Sequence, residues 1–229
     1  MADRFYEFPG DNKKYVSVTT FLSIINKPFL MPWAAKMERE LVKLLADQGH
    51  NLQAILEYLA PKQPYAYRLY TANKAQIGST VHKAIDYTLK GLKLPEMTKQ
   101  EKMIYGKWLE WWKSKKYILE GAERTVKSLR YGYAGTMDAL VTDTSKGVPH
   151  IIDWKTGKSH YQEHELQNLA YQHCLTEEGF AVSGGELVYI PVDKEIFTKP
   201  VAVVSADRLL PVLNALALWR WANNKPWKG

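Results

Sequence analysis

Residues 150–160, HIIDWKTGKSH, decide how the fold of this chain is interpreted. The two isoleucines and Trp154 are typical of a buried β-strand, and a Thr-Gly turn ends the run. Such a strand usually excludes ionisable groups from its middle, because burying an unpaired charge is costly. Asp153 and Lys155 nevertheless lie two residues apart, so their side chains share one face of the strand. A solvated polar face would explain an isolated pair, but a central strand requires another reason for it.

The composition limits the classes of protein to which the chain can belong. Its 229 residues fit one large domain, and 46% hydrophobic residues suffice for a core. We expect a cytoplasmic protein with no membrane partner, because neither a transmembrane run nor a targeting segment is recognisable. The single cysteine, Cys174, excludes an internal disulfide and a four-cysteine iron–sulfur cluster. The net charge of +7 favours an anionic partner such as nucleic acid, although many soluble proteins are equally basic.

Hydrophobic periodicity predicts a mainly helical part followed by a mixed part. After a short extended start, we predict helices over residues 31–50, 51–60, 75–90 and 98–116. In the mixed part we predict a hairpin over residues 124–142, an adjoining strand over 150–157 and a helix over 163–179. A second hairpin over residues 186–205 and a last helix over 206–224 follow. The expected organisation is a single α/β domain of residues 1–229, divided into a mainly helical part (1–120), a sheet with its helix (121–205) and a closing helix (206–229).

A second carboxylate precedes the strand of residues 150–157, in the segment YAGTMDALV. Asp138 lies in an apolar strand just after Gly135, where a glycine lets a backbone or a ligand approach closely. If this strand pairs antiparallel with the next one through the turn between them, Asp138 and Asp153 become cross-strand neighbours. Two neighbouring carboxylates repel unless a positive charge lies between them. Lys155 could neutralise one of them, and a hard divalent cation could hold both.

These motifs resemble the signature of the PD-(D/E)XK nuclease superfamily, GxxD followed after a turn by (D/E)xK. The RecB-like branch of that superfamily also has a histidine on an upstream helix, here His82 in GSTVHKAID, and a glutamate ahead of the hairpin, here Glu123 in AERTVKS. It has QxxxY on the following helix, here Gln167 and Tyr171 in LQNLAYQ. Residues 15–40 and the run IIDWKT further resemble the mitochondrial genome maintenance exonuclease group. The resemblance covers most of the chain.

The resemblance implies a restriction-endonuclease-like fold, with a mixed central β-sheet flanked by helices and a helical N-terminal part. It implies a metal-dependent deoxyribonuclease whose Mg²⁺ or Mn²⁺ ligands are His82, Asp138, Asp153 and the carbonyl of Trp154. The implied catalytic residues are Lys155, Asp138, Asp153 and Glu123. Gln167 and Tyr171 are implied to position the nucleic acid strand or Lys155.

The mitochondrial group implies an exonuclease that acts on single-stranded DNA ends in DNA repair, recombination or replication. No Walker-type phosphate loop is present in the sequence, so we expect no use of ATP. A structure-specific endonuclease and a non-catalytic nucleic-acid-binding module on the same fold remain as alternatives. An enzyme of unrelated chemistry has neither a nucleophile elbow nor a cofactor fingerprint to support it.

Each motif residue also has an ordinary explanation. His82 could be a satisfied histidine on a helix, and Gln167 with Tyr171 could mark the boundary of an amphipathic face. Glu123 could be an exposed acid at the end of a helix, since Glu120 lies three residues before it. These alternatives stay open at the level of the sequence.

Aromatic residues form three groups with different expected roles. Trp108, Trp111 and Trp112 recur at the spacing of a buried helix face, so we expect them in the core. A tyrosine-rich loop with two prolines, PKQPYAYRLY at residues 61–70, suits base stacking and phosphate contact. Its candidate DNA-binding residues are Tyr65, Tyr67, Arg68, Tyr70 and Lys74. The C-terminal segment WRWANNKPWKG mixes arginine, lysine and tryptophan, which suits nucleic acid or simply a closing helix with a frayed end.

Overall fold

The computed structural model of the chain describes residues 3–25, 30–59 and 65–225. The chain divides into two compact units, one formed by the segments before residue 26 and after residue 79, the other by the segment between them. Each helix within the described ranges is too short or too polar to cross a membrane.

The first unit is built on a seven-stranded mixed sheet. Its strands are β1 (Phe5–Phe8), β2 (Asp11–Ser17), β3 (Tyr117–Ser128), β4 (Tyr133–Asp143), β5 (Pro149–Lys155), β6 (Gly185–Tyr189) and β7 (Phe197–Val201). The pairs β1–β2, β3–β4, β4–β5 and β6–β7 are antiparallel, whereas β2–β4 and β5–β6 are parallel. The two predicted hairpins are therefore confirmed as β3–β4 and β6–β7.

Helices connect these strands, and three of them begin at capping side chains. The helices are α1 (Val18–Leu22), α2 (Leu30–Asp47), α3 (Leu52–Tyr58), α4 (Ala66–Leu89), α5 (Lys99–Lys113), α6 (Gln162–Glu177) and α7 (Ala206–Ala222). Thr98 and Glu101 form a capping box at α5, each side chain accepting from the backbone N–H of the other residue. Asn51 and Ser205 cap α3 and α7 by accepting from a backbone N–H in the first turn.

β4 is the strand on which the sheet branches. β3 pairs with one edge of β4 from Tyr133 to Asp143, so β2 and β5 share the other edge. β2 joins that edge at Tyr133 and Ala134, and β5 joins it from Ala139 onward. Residues 135–138 lie between the two ladders. Asp138 therefore occupies the point at which the two arms of the sheet separate.

The two faces of the sheet are covered by different helices. On one face, the ring centroids of Trp108 and Trp111 lie 5.8 Å from that of Trp154, and the centroid of Trp112 lies 6.1 Å from it. Trp108 is wholly buried, which confirms its expected core role, whereas Trp111 and Trp112 are half-buried and pack against the buried Trp154. On the other face, α1, α6 and α7 bury their apolar residues, and Cys174 of α6 is wholly buried among them. This architecture confirms the predicted α/β fold with a central mixed sheet flanked by helices.

The mainly helical part predicted for residues 1–120 also contains β1, β2 and the start of β3. The prediction placed an extended start at residue 15, which the end of β2 confirms, but it missed β1 and the first part of β2 because they show little apolar alternation. The first half of β2 carries exposed lysines, and only its end, from Tyr15 to Ser17, is buried. The predicted closing helix at 206–229 is present as α7 to Ala222, and residues 226–229 lie outside the described ranges.

The second unit contains α2, α3 and the beginning of α4. The carboxylate of Glu38 in α2 accepts from the backbone N–H of Ala66 at 2.7 Å, which ties the start of α4 to α2. The predicted tyrosine-rich loop is wrong from residue 66 onward, because the helix begins there, nine residues before the predicted start. The prolines that suggested a loop precede this helix, and proline is compatible with a helix start. Residues 61–64 of the predicted loop lie outside the described ranges.

Candidate active site

Three side chains capable of binding a metal converge at the branch point of the sheet. His82 comes from α4, Glu123 from β3 and Asp138 from β4, and one ligand atom of each lies within 4.8 Å of the others. The β3–β4 register places Glu123 opposite Asp138. The donors are carboxylate oxygens and an imidazole nitrogen, a set that suits a divalent cation.

Asp138 is held by two contacts that favour its ionised form. Its Oδ1 lies 3.2 Å from Nδ1 of His82, and its Oδ2 accepts from the backbone N–H of Trp154 at 2.7 Å. Burial works to raise the pKa of Asp138, but His82 and the backbone contact lower it below its ordinary value. Burial likewise opposes the charged form of His82, yet the neighbouring carboxylate raises the pKa of that imidazole. The contact therefore favours the charged form of each group.

Asp153 is the neighbour of Asp138 across β4 and β5, as the sequence predicted. Ala139 pairs with Ile152, so the same register continued by one residue brings the two aspartates together. Asp153 is only 2% exposed, and its Oδ2 contacts Nζ of Lys155. Burial raises the pKa of Asp153 to about 6, with the charge of Asp138 adding to the effect and Lys155 opposing it.

Lys155 is oriented by α6 as well as by Asp153. Its Nζ donates to Oε1 of Gln167 at 3.1 Å, and Nε2 of Gln167 donates to Oη of Tyr171 at 2.9 Å. The four-residue spacing of Gln167 and Tyr171 puts both side chains on one face of α6. The structure thus brings the predicted QxxxY residues to the predicted lysine through a chain of hydrogen bonds.

Gly135 makes room for the ring of Tyr171. A Cβ atom at this position would lie 2.4 Å from Cε1 of Tyr171, closer than two carbon atoms can approach. The sequence indicated a close approach by a backbone or a ligand at Gly135, whereas the group that approaches is an aromatic side chain of α6. The glycine therefore serves the site by letting Tyr171 lie against β4.

Glu123 occupies an unusual backbone conformation in the middle of β3. Its φ of 49° lies in the left-handed region, which is uncommon for a residue other than glycine. Burial and the nearby Asp138 raise the pKa of Glu123 to about 6. The alternative explanation as an acid at a helix end is wrong, since the residue lies inside a strand. Glu120 is exposed and accepts from Oγ1 of Thr142 at 2.8 Å.

The remaining predicted residues belong to the second unit. Their aromatic rings and cations contact one another and Trp33. Trp33 packs against the rings of Tyr67 and Tyr70, with centroids 6.4 and 5.6 Å apart respectively. The residues of this aromatic and cationic group are Tyr65, Tyr67, Arg68, Tyr70 and Lys74.

A group beside Lys155 escaped the sequence analysis. Tyr189 of β6 is the cross-strand partner of Lys155, and its Oη lies 2.8 Å from Nδ1 of His160 and 2.9 Å from Nδ1 of His164. Both histidines are half-buried. The four-residue spacing of the two histidines indicates that they can lie close together. It does not indicate that a tyrosine from another strand contacts both of them.

Similarity searches relate the chain to known proteins. Comparison with curated proteins finds no match. Three similar solved structures have low identity. The alkaline exonuclease LHK-Exo from Laribacter hongkongensis has a TM-score of 0.41 and 12% identity, covering 64% of this chain and 79% of that one. The structure of LHK-Exo in complex with dAMP has a TM-score of 0.38 and 13% identity over the same shares, 64% and 79%. The structure of SSO0001 has a TM-score of 0.40 and 15% identity, covering 91% and 83%.

A protein-family model covers the part of the chain that carries most of the site. Residues 93–223 match the model of the PD-(D/E)XK nuclease superfamily. The matched range includes Glu123, Asp138, Asp153, Lys155 and Gln167, whereas His82 lies before it.

Proposed function

Because the chain belongs to the PD-(D/E)XK nuclease superfamily, we propose that it is an exonuclease that hydrolyses single-stranded DNA from its ends. The superfamily consists of phosphodiesterases that use divalent metal ions, so the chain is a nuclease. The observation that carries the proposal is the joint placement of Asp138, Asp153 and Lys155 where the sheet branches. The resemblance to the RecB-like branch and the mitochondrial genome maintenance exonuclease group supports the exonuclease activity, the single-stranded substrate and a role in DNA repair, recombination or replication.

The side chains at the branch point fit a divalent cation. His82, Glu123 and Asp138 supply ligand atoms within 4.8 Å of one another. We assign Mg²⁺ or Mn²⁺ to these residues, with Asp153 and the carbonyl of Trp154 as further ligands, since both ions accept carboxylate and carbonyl oxygens. When bound, such an ion polarises the scissile phosphate and lowers the pKa of a water molecule.

Lys155 contributes a fixed positive charge. Its Nζ is held by Asp153 and by Gln167, so little reorganisation is needed when negative charge develops on the phosphate during hydrolysis. We assign to Lys155 the stabilisation of that charge and the orientation of the attacking water. Gln167 and Tyr171 are positioning residues, because they act through the lysine.

The second unit supplies a surface suited to a flexible strand. Tyr65 and Tyr70 are 55% and 46% exposed, and each has a cation over its ring, from Arg68 and Lys74 respectively. Exposed rings stack with bases of any identity, while the cations attract phosphates. We include this group, together with Tyr67, in the DNA-binding surface, and we keep residues 1–229 as one functional domain in this proposal.

Cleavage of closed-circular and end-labelled linear single strands tests the proposed function. With Mg²⁺ or Mn²⁺, we expect the linear strand to be degraded progressively from an end while the circle stays intact. EDTA stops the reaction, and a matched linear duplex is degraded more slowly. An Asp138→Asn variant, which keeps the size of the side chain but loses its charge, controls for contaminating nucleases.

The possible results separate the alternatives. Cutting of the circle by the wild-type protein, but not by Asp138→Asn, would make the chain an endonuclease. Salt-sensitive binding of DNA without any metal-dependent cleavage would make it a binding module on a nuclease fold.

A further inference from the structure

A cavity of about 680 Å³ opens in the first unit, away from the candidate active site. It lies where β1 and β2 meet the turn between β3 and β4 and the end of α7. Gly132, which lines the cavity, lies in the turn directly before β4 and precedes Asp138 by six residues. At about 3.3 Å per strand residue, the two places are about 20 Å apart. The volume falls within the range of small-molecule sites in proteins, roughly 300–1,000 Å³.

The charged lining of the cavity is cationic. Lys13, Lys14 and Lys225 are exposed at its rim, and Arg220 lies in its wall. Lys14 also pairs with Glu7 across the β1–β2 ladder at 2.7 Å. Among the described residues that line the cavity, none carries a carboxylate. Glu7 and Asp11 lie beside the rim, but Glu7 is paired with Lys14 and Asp11 with Lys127. The lining residues themselves therefore carry positive charge only, which attracts anions.

The guanidinium of Arg220 is held in place by the protein itself. The residue is only 7% exposed, and its Nη2 donates to the backbone carbonyl of Tyr131 at 2.7 Å. A Cβ atom at Gly132 would lie 3.1 Å from Nη2, and φ of Gly132 is +67°. The turn between β3 and β4 thus uses a glycine in the left-handed region and leaves room for the guanidinium. The orientation of this cation is fixed before any ligand arrives.

An aromatic surface completes the cavity. Phe5 of β1 is 39% exposed and lies against the buried Trp219 of α7, with ring centroids 6.2 Å apart. A wall of aromatic rings beside cations matches the two halves of a nucleotide, since bases stack on rings and phosphates pair with lysine and arginine.

We propose that this cavity is a second nucleotide-binding site, distinct from the candidate active site. Its cations hold the phosphate, and Phe5 with Trp219 contacts the base. The nucleotide has two possible sources, a strand that extends beyond the candidate active site or a free mononucleotide. Binding at this place involves no cleavage and no metal, so it can be tested independently of the proposed function.

Calorimetric titration in EDTA tests the site with thymidine 5′-monophosphate, inorganic phosphate and an oligothymidylate as probes. The double variant Lys13→Glu, Lys225→Glu reverses two exposed charges at the rim. The matched control, Lys102→Glu, Lys199→Glu, reverses two exposed charges in α5 and β7 and has the same net charge. We expect the rim variant to bind the monophosphate about tenfold more weakly, while the control binds as the wild type does.

A further variant tests the aromatic half. Phe5→Leu should weaken binding of the monophosphate by about fivefold without changing that of inorganic phosphate, because stacking involves only the base. Loss of oligothymidylate binding in the rim variant assigns the site to a strand, and loss of monophosphate binding alone assigns it to a free nucleotide. The proposal is overturned if the rim and control variants bind the monophosphate equally, or if inorganic phosphate binds as tightly as the monophosphate.

Discussion

On one face of β5, Trp154 packs among the tryptophans of α5, whereas on the other face Asp153 and Lys155 point towards α6. Both faces are buried, but their chemistry is opposite. The first contributes stability through the burial of rings, which is the largest favourable contribution that side chains make. The second buries a carboxylate and a lysine whose mutual attraction only partly offsets their loss of hydration.

This difference indicates why the charges are there. A face filled with apolar residues would stabilise the sheet at least as well, so stability does not explain Asp153 and Lys155. Their arrangement is explained if a metal ion and a phosphate reach this face. Changes on the Trp154 face should therefore affect unfolding, and changes on the Asp153 face should affect cleavage.

Replacing Trp154 with alanine should have the largest effect on stability. The substitution leaves a cavity among the rings of α5, and we expect the free energy of unfolding to fall by about 3–5 kcal/mol. Urea unfolding followed by circular dichroism measures it. Trp221→Ala is the matched control, because Trp221 is 80% exposed, and its effect should stay within about 0.5 kcal/mol. Equal effects of the two variants would contradict the assigned role of this face.

Replacing Lys155 with alanine should reduce cleavage by about 10²–10³-fold, because it removes the fixed charge to which we assign stabilisation of the transition state. Single-turnover degradation of an end-labelled strand measures the loss, and far-ultraviolet circular dichroism confirms folding. Lys158→Ala removes a lysine of the following turn whose side chain is 63% exposed, and it should cleave normally. Retained activity in Lys155→Ala would rule out the assignment of this lysine.

Gly135→Ala should disturb the face of β5 that carries the charges by displacing the ring of Tyr171. We expect a loss of about 1–3 kcal/mol in the free energy of unfolding and slower cleavage, since Tyr171 supports Gln167 and Lys155. Gly121→Ala is the control in β3, where an added Cβ meets nothing within 4 Å. Double-mutant analysis with Tyr171→Ala should show strong coupling to Gly135→Ala, and additive effects would contradict the contact.

The smallest of the expected effects is a dependence of metal affinity on pH. The pKa of Asp153 in the metal-free protein is about 6, above its ordinary value of 3.8. The folded protein therefore binds this proton more tightly than the unfolded chain, so the contribution of Asp153 to stability is greatest below pH 4 and is lost as the pH rises through 6. Metal binding requires the ionised carboxylate, so the affinity for the metal rises as the pH rises through 6.

We accordingly expect ionisation of Asp153 to raise the apparent affinity for Mn²⁺ about tenfold between pH 5 and pH 7, with a further rise from Glu123, whose pKa is also about 6. Thermal unfolding at increasing Mn²⁺ concentrations measures it, because a ligand of the folded state raises Tm. Asp153→Asn should show a weaker dependence over the same range. An affinity for Mn²⁺ that does not change between these pH values would exclude Asp153 from the metal site.

The site was predictable from the sequence where it depends on local spacing. The two-residue alternation of β5 gave the shared face of Asp153 and Lys155, and the length of the turn before β5 gave the pairing of Asp138 with Asp153. The i, i+4 spacing of Gln167 and Tyr171 gave their common face on α6. Each of these relations follows from the geometry of one element or one hairpin.

Other parts depend on contacts between distant segments, which spacing does not encode. The parallel pairing of β2 with the start of β4 joins segments more than a hundred residues apart, so the branching of the sheet was not foreseen. The left-handed φ of Glu123 is enforced by its surroundings and not by its residue type. The early start of α4 was hidden by the prolines that precede it.

The buried position of Cys174 has a practical consequence for measuring DNA binding. Burial raises the pKa of its thiol well above the ordinary value, so the thiolate that reacts with maleimides is scarce and shielded. Because the chain has 1 cysteine, a second one introduced at the exposed position of Lys158 would be labelled almost alone. A fluorophore attached there, three residues from Lys155, would report the arrival and departure of DNA without removal of the native cysteine.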